Sequence, residues 1–395
     1  MRSTARTSLG LAALLYSVLH FAVTGVRQPL ANFYGDFLAS FPTWRVAWLC
    51  GRLDWYFGSL AQRWGPPPIW HYGPLLHVIT LPLFACSSLR SAYVVWLFVN
   101  YLFVAAAAFG AMWVIDDGKP TPATVLLVIV VFCNFNPLYE ALTERTIENF
   151  ELLLLFVAWS FYRRGRDVGC GVAIGIAAMM KFLPLIYLPW LVLRRRWRAL
   201  FAAIAVIVPV AIFTELVLGW RNSGTLIQLG GVTFLSSELD QSLSGMVTRL
   251  ISWTHCPLPA PVVGLVVILI ALGVLMAFVL EARRRQESED IEFGLLAAVM
   301  VLLPPHNQEY YFVFLLLPYA LLYRRYRTGW SPRAALLALS FALVAVPVPL
   351  SIVQRLIGVD VFSLYLRAGI PFVGAALLVA VLVSETARPV QFEGP

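Results

Sequence analysis

Long apolar runs separated by short basic clusters recur along almost the whole chain, beginning with SLGLAALLYSVLHFAVTGV at residues 8–26. A helix that crosses a bilayer needs roughly 20 predominantly apolar residues. The pattern therefore predicts an all-α, polytopic integral membrane protein, a bundle of roughly ten or more spanning or re-entrant helices. Apolar segments fall near 69–86, 91–115, 121–133, 150–162, 199–219, 257–280, 332–350 and 362–384. Two further stretches, 168–193 and 293–323, have basic clusters at both ends and are interrupted by Lys181 with Pro184 and by PPHNQE at 304–309. Each reads as a hairpin that dips in and returns, a form tolerated at membrane depth only inside protein or beside a wet cavity.

Composition fits that reading. Of 395 residues 60% are hydrophobic and only 13% charged, and the mean hydropathy is +0.79, which excludes a cytosolic enzyme. No room remains for a large soluble domain, so residues 1–395 read as one transmembrane domain with long outer loops at about 26–70 and 220–256. The basic start with Arg2 and Arg6 is taken as the flank of an uncleaved first helix, since no small-residue cleavage site follows.

The clusters RRGR (163–166), RRRWR (194–198), RRR (283–285) and RRYR (324–327) mark the cytoplasmic side. The net charge of +8 lies in these clusters between apolar runs, a distribution suited to anionic membrane lipids and not to nucleic acid. Parity fails between the first loop and RRGR by one crossing, and 69–86, with Pro74 and Pro82, is the segment expected not to span simply. Cys50, Cys86, Cys133, Cys170 and Cys256 form no C-x-x-C pair.

Candidate chemistry sits where polar residues interrupt this pattern. The first loop holds Asp36 close after the first helix, Asp54 as a competing acid, and Trp44, Trp48, Trp55, Trp64 and Trp70, which give it an interfacial character. Asp36 is placed to meet a lipid headgroup or, alternatively, to cap a helix starting near Phe37. In LYEALTERTIENFELLLL, Glu140, Glu144 and Glu148 are four apart and are expected to share one helix face, with Arg145 and Glu151 nearby. Those acids could hold a divalent cation, bind sugar hydroxyls or orient Arg145, or simply form a solvated helix. Lys181 lies inside an apolar stretch, where an ionisable residue is a functional candidate by default; snorkelling or a structural ion pair is the alternative. His306 and Glu309, with Asn307 and Gln308 between them, carry the same argument. The chain has no phosphate-binding G-x-x-x-x-G-K-[ST] loop, no G-x-G-x-x-G, no H-E-x-x-H and no G-x-S-x-G, so a nucleotide-using enzyme is unsupported.

Residues 148–200 are similar to a pattern of the GT-C superfold's family 87 glycosyltransferases: a polar G-Q-x-N opening, a Leu-rich helix, a basic turn, a small-residue helix ending in Lys-x-x-Pro, and a second basic cluster. Lys181 and Pro184 stand at the Lys-x-x-Pro. The chain also resembles the family in Asp36 with Phe37, in Tyr72 to Pro74 at its Y-x-P, in QSLSGMVTRL at 241–250 against Q-S-x-x-G-x-x-x-R, and in the late polar break. It departs at the G-Q-x-N site, which reads Glu148, Asn149, Phe150, Glu151, and late in the chain, where Glu309 and Tyr310 replace a His-His-like motif.

The resemblance implies an inverting membrane transferase that moves a sugar, mannose by preference, from a polyprenyl-phosphate donor to a lipid or glycan acceptor on the extracytoplasmic face of the inner membrane. It implies Asp36 as base and Lys181, His306 and Arg249 as binders of the donor phosphate. Glu140, Glu144, Glu148, Gln308 and Glu309 fall to the sugar or acceptor. No nucleotide, cofactor or obligatory metal is expected, although the acidic face leaves a divalent ion open. A flippase or transporter of lipid-linked sugar, with Lys181 and His306 along its path, is the alternative.

Overall fold

In the computed structural model the described residues are 2–31, 74–218, 240–254, 289–304, 307–327, 331–346 and 350–386, with single positions between them. Among these residues the secondary structure is helical, without strands. Helix α1 (Arg2–His20) runs on through a π-helical turn, Phe21–Arg27, and a last turn, Gln28–Ala31. The first helix thus passes Val26, where the sequence places its end.

The segment expected not to span simply folds as a short helix α2 (Pro74–Thr80) followed by a 3-10 turn, Leu81–Ala85, well short of the roughly 20 residues of a crossing. Pro82 removes a backbone donor where an α-helix would otherwise continue. Then come α3 (Leu89–Ile115), α4 (Pro122–Phe132), α5 (Asn136–Glu144), α6 (Glu148–Arg163), α7 (Asp167–Met180), α8 (Tyr187–Leu193) and α9 (Trp197–Leu218). The later part gives α10 (Leu243–Thr254), α11 (Glu289–Leu302), α12 (Leu316–Tyr326), α13 (Pro332–Ala345), α14 (Leu350–Ile357), α15 (Val361–Arg367) and α16 (Ile370–Thr386).

Among the described residues, Ser8–Ala31 and Leu89–Ile115 are each long and apolar enough to cross a membrane. Two bent pairs, α4 with α5 at 59° and α15 with α16 at 48°, raise the number to four if each is one broken span. Large apolar side chains on α3, among them Phe98, Leu102 and Phe109, stay exposed on the protein surface, as lipid-facing positions do.

The chain divides into two compact units. One comprises Val18–Gly110 and Leu138–Thr233. Its closest helix packing joins α7 to α9, where a Cβ on Gly171 or Gly175 would run into the backbone carbonyls of Ala199 and Ala203. Small residues four apart let the two backbones approach, the usual device of membrane helices. Beside this pair an apolar cluster gathers Leu76, Tyr93, Trp96, Ile147 and Met180.

The other unit comprises Met1–Ser17, Ala111–Pro137 and Phe234–Pro395. Its basic end is tied down by ion pairs: Arg327 to Asp116 at 2.7 Å, Arg324 to Asp117 at 2.5 Å, and Arg325 and Arg333 to Glu385 at 2.7 and 3.0 Å. The buried Glu385 carboxylate also accepts from the Tyr326 hydroxyl. Next to this end lies an apolar cavity of about 580 Å³ lined by Leu127, Val131, Tyr319, Tyr323, Leu337 and Phe341.

Candidate functional site

In the unit formed by 18–110 and 138–233, the pivotal element is the end of α7. The small-residue helix stops at Met180, because Pro184 cannot donate into an α-helical ladder and the chain turns into the 3-10 segment Leu183–Ile186. Lys181 leaves the helix in an extended conformation, with φ −153° and ψ 134°. Its ammonium, 2% exposed as a residue, donates to Oε1 of Glu148, the first residue of α6.

Glu151 follows one turn later on the same face of α6, as residues three apart do. It is 0% exposed and lies within electrostatic reach of Glu148 and Lys181. Neither of its oxygens has a hydrogen-bond partner among the described residues, and neither does Oε2 of Glu148. Two carboxyl groups on the first turn of α6 thus share the surroundings of one ammonium. Asn149 reaches the Oδ1 of Asn100 at 3.4 Å, and Asn100 in turn donates to the Trp96 carbonyl.

The expectation of three acids on one helix face fails. Glu140 and Glu144 lie half-buried on α5, whereas Glu148 opens α6, because the chain breaks at Arg145 with φ +56°. Arg145 is buried. Its guanidinium lies 3.3 Å over the Tyr93 ring and donates to the carbonyls of Thr143 and Pro29, while Trp96 Nε1 donates to the Arg145 carbonyl at 2.9 Å. Arg145 thereby fixes the turn that aims Glu148 and Glu151.

In the other unit, the Q-S-x-x-G-x-x-x-R segment builds a local frame. Asp240 Oδ1 accepts the backbone N–H of Ser242 and of Asn307, both at 2.8 Å. The Gln241 N–H donates to the Asn307 carbonyl at 2.7 Å, and its side-chain amide to the Leu366 carbonyl at 2.9 Å. Ser242 Oγ accepts the Gly245 N–H, and Arg249 donates to the Asp240 carbonyl at 2.5 Å. Gly245 has room for no side chain, since a Cβ there would collide with Asp240.

This frame fixes Asn307 in the late polar break, whose own amide donates to the Val301 carbonyl. Glu309 opens a 3-10 turn, Glu309–Leu315, and accepts from Asn136 Nδ2 at 2.8 Å; Gln308 precedes it, half-buried. Tyr310 and Tyr311 stack behind, their centroids 5.0 Å apart.

Asp36, Phe37, Asp54, Tyr72 and His306, together with the loop tryptophans, lie outside the described residues. Among those described, no group of three or more His, Cys, Asp or Glu side chains is placed to hold a metal ion. Sequence reasoning passed over Asn100 and Asn136. The signal for Asn100 was present, since it is a lone amide in the apolar run VVWLFVNYLFV.

An all-helical protein with apolar helices, buried charge where those helices break, and basic clusters between them belongs to the class of membrane-embedded enzymes and transporters. Comparison of the sequence with known families decides within that class. The profile of glycosyltransferase family 87 matches residues 70–305, more than half of the chain, and the protein belongs to that family, a membrane glycosyltransferase of the GT-C type. No curated protein matches the chain.

Proposed function

We propose that the protein transfers a hexose, mannose by the family resemblance, from a polyprenyl-phosphate donor to a lipid or glycan acceptor at the extracytoplasmic face of the inner membrane. The observation that carries this reading is the family match over 70–305, a stretch that contains the buried Lys181 and Glu148 pair. The basic clusters support the orientation: RRGR and RRRWR bracket the segment that breaks at Lys181, which puts that break away from the cytoplasmic surface. On this reading roughly ten segments enter the bilayer, several of them broken.

The chemistry is a single displacement at the anomeric carbon, which inverts it. The acceptor hydroxyl gives its proton to a carboxylate as it attacks. Asp36 is our choice for that base, with Asp54 as its competitor. The leaving lipid phosphate needs a cation or fixed donors, a stabilisation of a few kcal/mol where water is excluded. The three candidates are Lys181, His306 and Arg249; Lys181 already donates to Glu148, and Arg249 to the Asp240 carbonyl. Glu140, Glu144, Glu148, Gln308 and Glu309 are our candidates for holding the sugar or the acceptor. The cavity beside Tyr319 and Tyr323 is not assigned to the donor, because it adjoins the basic end near Arg327.

Proteoliposomes supplied in parallel with polyprenyl-phosphate mannose and a nucleotide-activated mannose test the donor class. Polyprenyl phosphate released from the first, with mannose on envelope lipid and none taken from the second, is the expected result. Movement of the intact lipid-linked donor between leaflets without its cleavage would replace transfer by transport.

A further inference from the structure

We infer that Glu151 is a substrate-binding residue: its carboxylate accepts hydrogen bonds from hydroxyls of a sugar ring, in a subsite that it forms with Glu148 and Lys181. This rests on the glycosyltransferase reading and assigns one end of the substrate to one cluster.

Glu151 is 0% exposed, and both of its oxygens lack a hydrogen-bond partner among the described residues. Buried carboxylates almost always carry partners, because an unpartnered one forfeits its hydration without return. The cation within reach, Lys181, already donates to Glu148, whose second oxygen is also unpartnered. Three acceptor oxygens of this cluster are therefore without a donor among the described residues.

The charge of the cluster selects the ligand. Two carboxyl groups to one ammonium, which already donates to Glu148, offer a phosphate no spare positive charge and few donors. A hydrocarbon chain would leave the oxygens as they are. A polyol supplies several O–H donors without negative charge. The surroundings favour this use. Glu151 stands on the first turn of a helix, and Ile147 and Met180 belong to the apolar cluster with Trp96 and Tyr93 that keeps the neighbourhood dry. A hydrogen bond made there is stronger than one made in water.

The test is saturation-transfer NMR on the full-length protein in micelles, with methyl mannoside, methyl galactoside and methyl glucoside as probes and inorganic phosphate as the control anion. Wild type is expected to bind at least one glycoside, and Glu151→Gln to bind it about 10- to 100-fold more weakly, the worth of a charged hydrogen bond. Glu151→Leu is expected to be at least as resistant to heat as wild type, since it removes a buried orphan carboxylate, and to lose glycoside binding altogether.

No glycoside bound by wild type, or glycosides bound equally by wild type and both variants, would overturn the inference. So would phosphate competing with the glycoside for Glu151. Release of polyprenyl phosphate is scored separately: a wild type that binds glycoside through Glu151 but cleaves no lipid-linked donor sinks the donor reading and leaves this one standing.

Discussion

Lys181 donates its buried ammonium to the carboxylate of Glu148, 33 residues earlier in the chain, and so joins the break after α7 to the first turn of α6. Removing one partner of such a pair strands the other charge away from water. Lys181→Met is expected to destabilise the protein by about 3–5 kcal/mol, whereas Lys181→Met combined with Glu148→Met recovers most of that loss. Thermal unfolding of the purified variants in micelles measures both. Equal destabilisation by the single and the double variant would mean that the pair is not the unit described.

Gly245 packs its bare Cα against Asp240, whose carboxylate holds the backbone of Asn307 in the late polar break. Gly245→Ala pushes a methyl group into that contact and is expected to cost about 1–3 kcal/mol, the range for overpacking. Limited proteolysis across 300–310 is expected to accelerate in the variant; an unchanged cleavage rate would show that the segment can shift aside.

Arg145 holds its turn through a ring contact and two carbonyls, a geometry that suits a planar fork and not a point charge. Arg145→Lys is expected to lower stability by about 1–3 kcal/mol, and Tyr93→Leu by about 1–2 kcal/mol. Because this turn aims Glu148 and Glu151, Arg145→Lys is also expected to raise KM for the donor with a smaller effect on kcat. Donor titration of the turnover rate separates the two effects.

Asp116 follows α3 at the basic end of its unit. Burial alone would raise its carboxyl, but the Thr121 N–H at 2.7 Å, the hydroxyls of Thr124 and Thr121, and Arg327 together hold it below the usual carboxylate range. A lowered folded pKa adds stability that is fully present above the unfolded value of about 3.9 and is lost as pH falls through the folded value. Wild type is therefore expected to exceed Asp116→Asn in thermal stability at pH 7, with the gap closing below about pH 4. A gap that stays constant down to pH 3 would contradict this.

The sequence exposed the membrane character, the course of α3, α6, α7 and α9, and the break at Lys181, because those features follow from hydrophobic length and from proline. It did not expose the break at Arg145. No glycine or proline marks that turn, and the left-handed backbone of Arg145 is maintained by Tyr93, Thr143 and Pro29, two of them far away in sequence. Spacing alone therefore put Glu148 on the wrong helix. The part played by Gln241, Gly245 and Arg249 in bracing Asn307 was likewise hidden, since it rests on backbone carbonyls that no side-chain pattern reveals. The resemblance flagged those residues, and their hydrogen bonds explain why they occur together.

Transfer from a lipid-linked donor, with Asp36 as base, is tested most directly by product release. Polyprenyl phosphate release from polyprenyl-phosphate mannose, with an envelope-lipid acceptor, should be compared in proteoliposomes for wild type and Asp36→Asn. Turnover by wild type that falls about 100-fold or more in Asp36→Asn, with donor binding retained, is the result this account predicts. Undiminished turnover in Asp36→Asn would move the base elsewhere, with Asp54 next in line, and no turnover by wild type from any polyprenyl-phosphate sugar would contradict the account itself.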